Sequence, residues 1–130
     1  MQTSYFACPL IDRERHFLVQ VANSVPKGFS PDTGLYSAIP DWRAIVAPFK
    51  DGFIDTDEYR IRYRRQLDGR KESIRREMET VTALAGRAGK EPVLVCYERS
   101  GDFCHRHILA GWLKENLDVE VFELEEPRLF

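Results

Sequence analysis

The chain has 130 residues, 43% hydrophobic and 31% charged, with a formal net charge of −2. That size and balance fit one domain over residues 1–130 with a core of its own, without repeats or low-complexity arrays. No run of about 18 apolar residues exists and no basic-then-apolar leader opens the chain, so neither a membrane span nor a signal peptide is expected.

In chain order, 2–8 reads as a short strand ended by Pro9. Residues 10–16 are charged and turn-like. Phe17 to Ala22 (FLVQVA) is apolar and β-branched, a second strand. The link between these strands is too short for a helical crossover, so an antiparallel or loose pairing is expected. Residues 23–40 carry Pro26, Gly28, Pro31, Gly34 and Pro40, a long irregular loop of the kind that often serves function. A short helix over 41–50 follows, with Trp42, Ile45, Val46 and Phe49 on one face and Pro48 an awkward member. Asp51-Gly52 stops it.

Thr56 is expected to cap a helix to about Leu67, with Tyr59, Tyr63 and Leu67 in line. Lys71 to Ala88 is the clearest helix, since Ile74, Met78, Val81, Ala85 and Ala88 follow the 3.6-residue period and Gly89 closes it. These stripes are read as core. Val93 to Tyr97 (VLVCY) is apolar on both faces, as in a central parallel strand. A helix to about Asn116 and a last strand over 119–124 complete the chain. The pattern predicts an α/β fold: a small, mostly parallel sheet with helices on both faces, Rossmann-like, containing at least one right-handed βαβ unit.

Charge is uneven. Eight bases lie between Arg60 and Arg76, opposed only by Asp68 and Glu72. Six acids and no base lie between Glu115 and Glu126. Solvated helix faces explain this most simply. The sharper alternative is a binding module engaging nucleic acid or an acidic partner, but no nucleic-acid-binding motif accompanies the arginines and they fall all round the helix.

Chemistry-bearing residues concentrate in residues 92–116, PVLVCYERSGDFCHRHILAGWLKEN: Cys96, Glu98, Cys104, His105, Arg106 and His107. Ligands of open α/β sheets gather at the carboxyl ends of parallel strands, where residues 98–102 fall. Asp102 is the expected N-cap of the next helix. That would place Cys104 and His105 in an electropositive first turn that lowers a thiol pKa and suits a small anionic ligand. Counting back from Ile108, Leu109, Trp112 and Leu113 at 100° per residue points His105 inward, Arg106 to the flank and His107 to solvent. Leu94, Cys96 and Glu98 share a strand face. Cys96 is expected to be buried and inert, and Glu98 to pair with Arg99 or Arg106 or to orient His105.

Three chemistries fit. Cys104 can be a nucleophile with His105 as base and Glu98 as orienter, although neighbours on a helix diverge by about 100°. Cys96, Cys104 and His105, with Cys8, could bind zinc, but C-x7-C-H is not a standard zinc signature. Cys96 and Cys104 could form a redox pair, although their separation across a strand–loop–helix turn argues against a bridge. Three cysteines are an odd count at spacings unlike a disulfide framework, so free thiols in a reducing cytoplasm are expected. No cofactor and no resident metal are expected; there is neither a G-x-G-x-x-G run nor a P-loop.

The run Cys96-Tyr97-Glu98, Gly101, Phe103-Cys104-His105-Arg106-His107, Ala110 and Trp112-Leu113 resembles the C-Y-E and C-H-R signature of the bacterial domain of unknown function 488 family. Ala47-Pro48, Phe49-Lys50, Gly52, Ile54, Glu58-Tyr59 and Tyr63 are similar to its middle region. The resemblance covers most of the chain after about Phe17. It implies an α/β fold with a cleft and a signature cluster of Cys96, Glu98, Cys104, His105 and Arg106, and it supplies no reaction. One departure is that Pro26-Lys27-Gly28 stands where relatives carry P-R-G, with Asn23 near their strand-end charged position. Lys27 and Asn23 are therefore the expected ligand-binding contributors from the facing loop. The leading function is a cytosolic thiol-dependent or anion-binding enzyme.

Overall fold

A computed structural model describes residues 1–98 and 103–125. Its frame is a five-stranded sheet in which every pairing is parallel. The strands are β1 (Gln2–Tyr5), β2 (His16–Gln20), β3 (Thr33–Gly34), β4 (Glu91–Cys96) and β5 (Phe122–Glu123), in spatial order β3-β2-β4-β1-β5. The fold is α/β, as the alternation of apolar strands and periodic helices implies.

Strand β4 is the centre. Val93, Leu94, Val95 and Cys96 are all fully buried, which is what an apolar run without alternation demands. It pairs with β1 from Gln2↔Val93 to Tyr5↔Cys96 and with β2 from His16↔Glu91 to Gln20↔Val95. The expectation that β1 and β2 pair with each other, antiparallel or loosely, is therefore wrong: β4 lies between them and both run parallel to it. The ten residues between them reach up to about 33 Å when extended, at about 3.3 Å each. That is ample to double back along a strand of four residues without a helix.

After β3 come a 3-10 turn, Tyr36–Ala38, and a turn wound as a π-helix, Trp42–Val46. The second continues into α1 (Ala47–Lys50). The Asp41 side chain caps the π-helical turn, accepting from Ala44 N at 2.8 Å. Pro48 causes no break because it falls in the first turn of α1, where its missing N–H is not needed. Helix α2 (Thr56–Gly69) starts one residue earlier in its cap than expected. Asp55, not Thr56, is the N-cap, accepting from Glu58 N at 2.8 Å. Helix α3 (Lys71–Ala88) ends on Gly89 at φ 66°, a left-handed C′ position that favours glycine.

Helix α4 (His105–Leu117) packs on β1, β4 and α2. Its N-cap is Cys104, in extended conformation, and not Asp102, which lies outside the described residues. Trp112 is wholly buried and donates from Nε1 to Asp68 Oδ1 at 2.8 Å, tying α4 to α2. The core joins Leu18, Val19, Leu35, Tyr63, Leu67, Ile74, Val81, Leu109 and Leu113 to the β4 residues. Among the described residues no helix is long and apolar enough to cross a membrane.

Candidate functional site

Cys96 is the last residue of β4, and the chain returns from it to start α4 at Cys104 and His105. Because Cys104 is the cap and not a helical residue (φ −147°, ψ 140°), its side chain is free of the helical 100° offset. The objection to a Cys104–His105 pair falls with that offset. Cys104 Sγ lies 3.9 Å from His105 Nδ1.

The other nitrogen of the ring fixes the tautomer. His105 Nε2 is hydrogen-bonded to the backbone carbonyl of Val21. A carbonyl can only accept, so Nε2 carries the proton and Nδ1 presents its lone pair to the cysteine. The carbonyl is available because Val21 sits just past β2: Gln20 O is taken by Leu35 N, and the next carbonyl turns to the imidazole. His105 is buried, as the angular count predicts, with the Tyr63 ring edge-on at 5.8 Å. Burial, with the neighbouring Arg106 and His107 charges adding to it, lowers its pKa to about 4, so the ring is neutral near neutral pH. His107 faces solvent.

Arg106 is not on the flank. It is wholly buried, and each of its three guanidinium nitrogens donates a hydrogen bond. Nε and Nη2 donate to the two Glu123 oxygens at 3.1 and 2.8 Å, a bidentate pair. Nη1 donates to Cys96 Sγ at 3.0 Å and to the backbone carbonyl of Glu98. The carboxylate paired with Arg106 is thus that of Glu123 on β5, itself bonded by Thr3 Oγ1 at 2.7 Å, and not that of Glu98. Cys96 is buried as expected but not isolated. Its sulfur meets that of Cys104 in a disulfide pairing, with Cα atoms 7.7 Å apart. The argument that the two thiols lie too far apart to meet is therefore overturned at the sulfurs. The Cα separation exceeds the roughly 4.4–6.8 Å of ordinary disulfides and suits two facing thiols better than a covalent bridge. Cys8 is a separate, buried free thiol.

Cys104 and His105 open onto a cavity of about 350 Å³. Asn23, Ser24 and Pro40 of the long loop form one side, and Tyr97, Glu98 and Phe103 the other. Trp42, Val46, Phe49, Lys50 and Tyr59 close it. The Phe49, Tyr59 and Phe103 rings pack on one another at 5.1–5.3 Å between centroids, and Lys50 Nζ stands 5.3 Å from the Trp42 ring. Burial, with the Glu98 carboxylate adding to it, pushes the Tyr59 hydroxyl well above its usual range. Tyr59 therefore stays a donor.

The structure brings Cys96, Cys104, His105 and Arg106 together, and sets Glu98 and Asn23 on the cavity wall. Asn23 Nδ2 is spent on the carbonyl of Pro40 at 3.0 Å. Lys27 is exposed and does not line the cavity; the lysine there is Lys50. Periodicity assigned Trp42, Phe49 and Tyr59 to the core; for Phe49 and Tyr59 the signal for a cavity role lay in the family-like stretch from Ala47 to Tyr63, and for Trp42 there was none.

Residues 12–117 match the family model DUF488-N3a, described as the active DUF488-N3 subclade. The chain belongs to the DUF488 family. The matched span includes Cys96, Cys104, His105, Arg106 and the cavity-lining residues, and leaves out Thr3, Cys8 and Glu123. No curated protein and no solved structure matches the chain.

Proposed function

We propose that this DUF488 protein is a small thiol-dependent enzyme whose ligand occupies the cavity above Cys104. The observation that carries the reading is the convergence of Cys104 and the His105 Nδ1 lone pair on the cavity, with Glu98 on its wall. The Cys104 thiolate is the reactive species. His105, neutral at rest and held by Val21, takes the thiol proton at Nδ1 only as the sulfur attacks. Glu98 exchanges a proton with the bound ligand from the side. Arg106 is a positioning residue that holds β4, α4 and β5 in register around the two sulfurs. The ring-lined wall fits a ligand with a flat apolar part, and Lys50 is the cation for an anionic group on it. The match to a family model described as active supports an enzyme. A reducing cytoplasm would keep Cys96 and Cys104 as thiols.

The test is alkylation of the reduced, chelator-treated protein by iodoacetamide, with modified peptides mapped by mass spectrometry. Cys104 should react first, at a rate that persists well below the ordinary thiol pKa of ~8.5. His105→Gln should abolish that low-pH reactivity. Faster reaction at Cys8, or an ordinary pH profile at Cys104, would refute the reading. The nucleic-acid alternative gains nothing from the fold. Arg60, Arg62, Arg64 and Arg75 each pair with a carboxylate of this chain.

A further inference from the structure

We infer that Cys96, Cys104 and His105 form a three-ligand site for zinc, its fourth position open to the cavity. The inference rests on the reading of Cys104 as a thiolate beside that cavity, and assigns what the thiolate holds. Three observations carry it. The two sulfurs and a His105 ring nitrogen lie within 4.8 Å of one another, and all three residues are buried. His105 has the arrangement of a metal-bound imidazole: one nitrogen donates to a backbone carbonyl, and the other is left aimed at the cysteine. The Arg106 guanidinium donates to Cys96 Sγ at 3.0 Å while Glu123 balances its charge, so the second thiolate is stabilised without an unpaired cation.

The geometry leaves room for the ion. Thiolates bound to zinc at about 2.3 Å in a tetrahedron stand roughly 3.7 Å apart. The 7.7 Å between the Cys96 and Cys104 Cα atoms accommodates that spacing more readily than a short covalent bridge. Two thiolates and a neutral imidazole are a soft donor set that suits zinc, and their two negative charges match its two positive ones. The two thiol protons leave to solvent on binding, so zinc replaces the proton that His105 otherwise receives. Cys104 and His105 line the cavity and Cys96 does not. The vacant tetrahedral direction is therefore the one facing a ligand, the pattern of catalytic rather than structural zinc.

The experiment uses the full chain, reduced and stripped with chelator, titrated with zinc alone and in parallel with cobalt(II). One zinc per chain is expected. Cobalt should give the visible bands of a tetrahedral site and a near-ultraviolet sulfur-to-cobalt band. Cys96→Ser and Cys104→Ser should each weaken zinc binding at least tenfold, and Cys8→Ser and His107→Ala should leave it unchanged. The wild-type cobalt spectrum needs no variant to fold: without tetrahedral bands and sulfur charge transfer the inference is overturned. Binding that follows Cys8 or His107 also overturns it. If zinc fails to bind while Cys104 of the stripped protein still alkylates fast at low pH, the metal site falls and the thiol reading stands. If Cys104 is also unreactive, both fall.

Discussion

Replacing His105 with glutamine offers a quantitative check on how the imidazole is held. Its pKa is near 4 in the fold, against 6.5 for an unperturbed histidine. The native state therefore binds fewer protons than the unfolded chain as pH falls through this window. The stability this neutral ring allows is complete above pH 6.5 and is lost as the pH drops toward 4. With these two values, linkage gives a loss of about 3 kcal/mol between about pH 7 and pH 4. Glutamine can donate to the Val21 carbonyl in place of Nε2 and cannot take up a proton. Urea unfolding of the reduced, metal-free proteins across this range should show the wild type losing about 3 kcal/mol more than His105→Gln. His16 and His107 are also lowered by burial, but both remain in the variant and cancel in the difference. Parallel stability curves for the two proteins would refute the claim that a desolvated, neutral imidazole stands at the head of α4.

Arg106→Met should destabilise the fold by about 3–5 kcal/mol in urea, because it leaves the Glu123 carboxylate without its bidentate partner. The same change should loosen β5, seen as faster amide exchange at Leu124, whose N–H bonds Thr3 O at 2.8 Å. Asp55→Ala should cost about 1 kcal/mol by loss of the α2 cap, whereas Thr56→Ala should cost only a few tenths; equal effects would mean the cap is misassigned. Gly89→Ala forces a side chain into a left-handed position and should cost about 1–2 kcal/mol, read as a lower thermal midpoint.

Much of this architecture is written locally. Val93 to Val95 announce a central strand because neither face tolerates a polar residue, and the spacing from Ile74 to Ala85 leaves α3 no other reading. The inward turn of His105 follows from Ile108, Leu109 and Trp112 by angle alone. What local pattern cannot carry is partnership between distant segments. The insertion of β4 between β1 and β2 depends on pairings some 75 to 90 residues apart. Arg106 can be buried only because β5 delivers Glu123, and nothing near Arg106 in the chain says so. The meeting of Cys96 with Cys104 hangs on where α4 begins. A shift of the cap from position 102 to position 104 changes which side chains obey helical angles. The ring-lined cavity was hidden for a different reason: Trp42, Phe49 and Tyr59 satisfy an amphipathic pattern whether they cover a core or a ligand.

The place of β4 in the sheet also sets the order in which the molecule can be assembled. Both β1 and β2 find their main partner in a strand made some 70 to 90 residues later. During synthesis the first two strands leave the ribosome with unsatisfied backbone edges. They stay so, apart from the two-residue contact of β2 with β3, until β4 emerges behind α2 and α3. Those two helices, rich in local contacts, are free to form first and present a scaffold on which β4 can dock. The closing event is then the threading of one late strand between two waiting ones. Such a topology folds slowly for its size and leaves apolar strands exposed in the interval. The Cys96–Cys104–His105 cluster at the end of β4 therefore takes its place in the fold only once β4 has docked between β1 and β2.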